Sequence, residues 1–153
     1  MRTVVIGVGN AYRSDDGVGL AVAERVRARA GEIEVVACEQ EPSRLLDAWA
    51  DADLALVVDA VSSPGAEPGT VHRFDATERA VPSSVFRGST HAFGVGEVIE
   101  VARALGRLPG RVLLYGVEGG KFAAGEGLSP AVAAAVEPLV SELLEEAECT
   151  SAR

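Results

Sequence analysis

Residues 3–19 read TVVIGVGNAYRSDDGVG, and the architecture turns on this stretch. Residues 3–8 are β-branched and almost continuously apolar, the pattern of a strand covered on both faces. Residues 9–14 are polar and turn-like. From about Asp15 a helix pattern begins, with Val18, Val22 and Val26 every fourth residue and Glu24, Arg25, Arg27 and Arg29 facing outward. Gly31 closes it. Buried strand, tight turn and amphipathic helix are how an alternating α/β chain opens.

The alternation continues downstream. Residues 33–38 (IEVVAC) predict a second strand, residues 43–52 a short helix packing Leu45, Leu46 and Trp49, and residues 54–58 (LALVV) a third buried strand running into Asp59. Residues 62–70 (SSPGAEPGT) are turn-rich, residues 71–75 (VHRFD) alternate weakly as an edge strand does, and residues 77–91 have no period. Val95, Val98, Ile99 and Ala102 mark a helix closed by Gly106 and Pro109. Residues 111–117 (RVLLYGV) predict a further strand, followed by a Gly-rich loop over 118–127.

Ser129-Pro130 is an N-cap and first-turn pair. It opens a helix with Val132, Val136, Leu139, Val140, Leu143 and Leu144 on one stripe. A kink is expected at Pro138 and a frayed tail from about Ala147. With no internal repeat and no linker, residues 1–153 are expected to form a single domain. Its fold class is a three-layer α/β/α sandwich around a mainly parallel twisted sheet of about five strands, one edge strand antiparallel.

Composition narrows the function. The 153 residues are 48% hydrophobic, with mean hydropathy +0.19, too apolar for disorder. The apolar runs fall far short of the ~20 residues of a membrane span. A net charge of −9 without a basic stripe argues against a nucleic-acid partner. Cys38 and Cys149 form no CxxC pair, so neither a zinc ribbon nor a disulfide framework is suggested. The first residues carry no signal-peptide pattern, so a cytoplasmic setting is expected.

Sites in such sheets lie beyond the carboxyl ends of the strands. Asp15 and Asp16 follow the first strand, Asp59 the third, and His91 precedes a later helix. Singly, each has a plain structural reading: the acids complement the helix dipole or cap a turn, and the imidazole caps or packs. His72 reads as a structural edge-strand residue and Cys38 as a small hydrophobe. Taken together, Asp16, Asp59 and His91 converge on one edge. Two carboxylates and an imidazole suit a divalent transition metal, which can polarise a carbonyl or acidify bound water. A nucleotide enzyme using Gly7, Gly9 and Glu39 is the rival. Against it, Tyr12 replaces the third glycine of G-x-G-x-x-G, and Asp15 and Asp16 stand where a pyrophosphate would lie. Ser89 and Cys38 lack a recognisable nucleophile context.

The chain resembles the endopeptidases that mature nickel–iron hydrogenases. The resemblance runs through Val5-Ile6-Gly7-Val8-Gly9-Asn10, Asp15-Asp16-Gly17-Val18-Gly19, Val57-Val58-Asp59-Ala60, Ser89-Thr90-His91-Ala92-Phe93-Gly94, Tyr115-Gly116-Val117-Glu118 and Leu128-Ser129-Pro130-Ala131-Val132. It implies removal of a short C-terminal extension from a [NiFe]-hydrogenase large-subunit precursor once nickel is in place. It also implies that Asp16, Asp59 and His91 sense that nickel. The metal would then come with the precursor rather than be stored, and other divalent ions could substitute. Asp16 falls where members of the family carry Glu or Asp. Two loops depart from the family pattern: Cys38-Glu39-Gln40-Glu41-Pro42 replaces an Asp-Gly-Gly turn, and Glu118-Gly119-Gly120 lacks a proline. Both are expected to face the substrate. A chaperone that grips the precursor through the same metal contacts without cleaving it is the alternative.

Overall fold

The computed structural model describes residues 1–29, 31–39, 41–82 and 94–151. The apolar segments become β1 (Thr3–Gly9), β2 (Glu34–Glu39), β3 (Leu54–Val61), β4 (Val71–Asp75) and β5 (Arg111–Glu118). Among the described residues they form one five-stranded sheet in the order β2-β1-β3-β5-β4. Every pairing is parallel except β4 with β5. The three centre strands are the three most continuously apolar ones, as burial on both faces demands. β4 must reverse because the link 62–70 is too short to carry the chain back to the amino edge.

Helices cover both faces, giving the expected three layers. On one side lie α1 (Val18–Arg29) and α4 (Pro130–Ser151), on the other α2 (Leu45–Ala48) and α3 (Val95–Ala104). Val18, Val22 and Val26 of α1 meet Val132, Val136, Leu139, Val140 and Leu143 of α4 over Leu54, Leu56 and Val58. The opposite layer packs Leu45, Trp49, Val95, Val98, Ile99 and Ala102 over Ala55, Val57, Val112 and Leu114. Trp49 sits 1% exposed and donates its indole N–H to the Arg107 carbonyl at 2.9 Å. Burying each such side chain is worth about 1.5–3 kcal/mol against the entropy of ordering it.

Two local expectations are corrected. β3 continues three residues past Val58, because Asp59, Ala60 and Val61 keep pairing with Gly116, Val117 and Glu118. Asp59 therefore lies within a strand, not after it. The last helix contains Pro138 as expected, and it extends to Ser151 rather than fraying from Ala147. Ala147 is buried in the α1/α4 layer, and this packing holds the final turns.

Candidate active site

β1 and β3 part company at Gly7–Val58, their last paired residues. Asp59 thus has β5 on one side and, on the other, the space vacated by β1. The turn Ser14–Gly17 fills that space, with Ser14, Asp15 and Asp16 all buried. The glycines around it allow close approach. A Cβ on Gly19 would stand 2.5 Å from the carbonyl oxygens of both Val8 and Val58. Side chains on Gly7 and Gly9 would collide with Gly19 and with the Asp16 carbonyl. These glycines serve the packing of α1 onto the sheet. The loop amides are spent internally, Asn10 N–H on the Asp16 carbonyl and Asp16 N–H on the Arg13 carbonyl, and Glu39 is exposed at the far edge. No dinucleotide cradle remains.

The adjacent acids have different jobs. Asp15 accepts hydrogen bonds from the N–H groups of Gly120 (2.8 Å), Lys121 (2.9 Å) and Ser129 (2.7 Å), and from the Ser129 hydroxyl (2.8 Å). Burial alone would raise its pKa, but these bonds outweigh burial and hold the carboxyl below the usual carboxylate range. Asp15 is a pin between the β1–α1 and β5–α4 loops. Ser14 reinforces it from a left-handed conformation (φ 53°), donating its N–H to Gly125 and its hydroxyl to Ala123.

Asp16, 1% exposed, is turned toward the sheet edge, where Asp59 is 2% exposed. Burial pushes the Asp59 carboxyl well above its ordinary value, and the negative charge of Asp16 pushes it further. The Ala60 N–H, 2.9 Å from Asp59 Oδ1, only partly opposes this. The two acids chosen from the sequence are therefore brought together, electrostatically coupled and out of water. His91 and Ser89 lie outside the described residues. Cys38 is fully buried and its thiol is pushed up to about 11 by burial, so it does not supply a thiolate.

Spacing alone missed a fourth buried acid. Glu118, at the carboxyl end of β5, is 1% exposed. Its Oε1 lies 2.9 Å from His72 Nε2, and its Oε2 accepts the Ser63 N–H at 3.0 Å. The signal that marked Asp59, a carboxylate closing an apolar strand, was present at Glu118 too.

The fold is an α/β domain with two buried, electrostatically coupled carboxylates at the carboxyl end of its sheet. Residues 20–146 match the family model described as hydrogenase maturation protease. The chain is 28% identical over 148 residues to the hydrogenase 2 maturation protease of Escherichia coli K12, covering 94% of this chain and 89% of that one. Superposition on the hydrogenase maturating endopeptidase HybD from E. coli gives a TM-score of 0.78 at 25% identity, covering 98% of this chain and 94% of that chain. The solution structure of an endopeptidase from Escherichia coli gives 0.83 at 29% identity, covering 95% and 91%. The chain belongs to the hydrogenase maturation protease family and is a peptidase. Among the described residues no helix is long and apolar enough to cross a membrane.

Proposed function

We propose that this peptidase removes the C-terminal extension of a [NiFe]-hydrogenase large-subunit precursor, recognising the precursor's nickel through Asp16, Asp59 and His91. One observation carries the reading: Asp59 is buried beside Asp16, and the charge of Asp16 adds to the cost of ionising it. No ammonium or guanidinium among the described residues is a cause of the Asp59 shift. A divalent ion would turn that repulsion into attraction. Carboxylates with one imidazole bind such an ion moderately, which suits a transient grip on a metal that arrives with the substrate. Nickel, as part of the substrate, supplies positive charge close to the scissile bond.

The chain's own residues supply the positioning. Asp15 and Ser14 lock the loop that aims Asp16, and strand pairing with Gly116 aims Asp59. Two free thiols suit a reducing cytoplasm as the setting of the reaction. The experiment is mass spectrometry of nickel-loaded precursor incubated with the protein. The expected outcome is a shortened C-terminus with wild type and none with Asp16→Asn, Asp59→Asn or His91→Ala. Cleavage retained in a variant removes that residue from the mechanism. A stable, uncleaved complex with wild type would replace processing by the holding role.

A further inference from the structure

Strand register sets three residues in a row across the carboxyl end of the sheet. Asp59 of β3 pairs with Gly116 of β5, and Gly116 pairs with His72 of β4. Side-chain alternation puts all of them on the face that carries α3. Ala55 and Val57 share that face with Asp59, Leu114 shares it with Gly116 and Glu118, and Phe74 shares it with His72. At about 4.8 Å per strand, the Cα atoms of Asp59 and His72 are about 10 Å apart. Gly116 stands between them and carries no side chain.

His72 is not a packed core imidazole. Its side chain is 31% exposed, while the carboxylate holding it is 1% exposed. Nε2 is engaged by Glu118 Oε1, and Nδ1 has no hydrogen bond to any described residue. Glu118 is itself steadied by the Ser63 N–H. A buried carboxylate that accepts one ring N–H orients the imidazole and leaves a lone pair on the other nitrogen, the arrangement that serves a proton-transferring histidine.

We propose that His72 is a further functional residue of the cleavage site, carrying the proton of the hydrolytic step, with Glu118 as its positioning residue. As water oxygen bonds to the scissile carbonyl carbon, Nδ1 takes the water proton. As the C–N bond breaks, Nδ1 returns that proton to the leaving nitrogen; the second water proton, still on the new carboxyl group, passes to the freed amine, so the products are a carboxylate and an ammonium and His72 ends as it began. The inference rests on the proposed presentation of the scissile bond at the Asp16–Asp59 edge.

The test compares wild type, His72→Gln, Glu118→Gln and His72→Gly on nickel-loaded precursor, with thermal unfolding as the control for folding. Gln at position 72 keeps an N–H donor for Glu118 but cannot shuttle a proton. His72→Gln is expected to lower kcat about 100-fold or more with KM within about twofold. Glu118→Gln should give a smaller loss of kcat, and added imidazole should partly restore His72→Gly. An unchanged kcat in His72→Gln, a loss confined to KM, or a His72→Gly defect untouched by imidazole overturns the proposal. Asp59→Asn in the same assay keeps the two readings apart. Cleavage that survives it sinks the metal-edge reading, and the His72 variants still report on proton transfer.

Discussion

Asp15→Asn is the substitution whose consequence the structure defines most closely. The carboxylate receives four hydrogen bonds, three at Oδ2 and one at Oδ1. An asparagine with its oxygen in the Oδ2 position keeps three of them, each weakened by the loss of charge. Its amide nitrogen then confronts the Ser129 N–H, donor against donor. A bond to a charged acceptor is worth about 1.5–3 kcal/mol and a neutral one about 1 kcal/mol, so the total loss is about 3–4 kcal/mol. For a domain of this size that is a fall in Tm of about 6–15 °C. Urea unfolding followed through Trp49, the single tryptophan and a buried one, measures it.

The sign of the pH dependence follows from the depressed folded pKa of Asp15. Its stabilisation is complete above the unfolded-state value of about 3.9 and is lost as pH falls through the lower folded-state value. The gap between wild type and Asp15→Asn should be constant from pH 7 to about pH 5 and close below about pH 4. A gap under about 1 kcal/mol at pH 7, or one unchanged at pH 3, would refute the assignment of Asp15 as the pin.

Asp59→Asn should do the opposite to stability while abolishing cleavage. Removing a buried charge beside Asp16 raises stability by about 1 kcal/mol at pH 8. That advantage should vanish in acid, where wild-type Asp59 is itself neutral, and thermal unfolding at the two pH values checks it. Gly19→Ala forces a methyl against the Val8 and Val58 carbonyls, so a loss of about 2–3 kcal/mol in urea unfolding is expected, together with loss of cleavage as Asp16 is displaced. Alkylation of the native protein should label the exposed Cys149 and spare the buried Cys38, whose thiol is pushed up to about 11. Intact mass should read one adduct in buffer and two in denaturant.

The sheet was readable because its centre strands are long apolar runs and its helices carry a four-residue period. Even β4, with only VHRFD to speak for it, was placed as an edge. The ends of elements were less readable. Nothing in Asp59-Ala60-Val61 announces that pairing with β5 continues, since Asp is a poor strand former and only the ladder to Gly116 keeps it extended. Sequence alone marks Ala147 as the start of fraying, because local propensity knows nothing of the α1 surface that α4 lies against.

The chain's own pattern is enough for the order of strand and helix and for two of the acids, Asp16 and Asp59, that stand toward the carboxyl end of the sheet. It singles out Asp16 but is silent on what holds Asp15, because the partners that claim Asp15 come from Gly120, Lys121 and Ser129, more than a hundred residues away. Nor could it join His72 to Glu118, which meet only because β4 turns back along β5. Periodicity reports which face a residue takes. Hydrogen-bond partnership, burial and the electrostatic coupling of Asp59 to Asp16 depend on distances across the fold, and those exist only once the strands have paired.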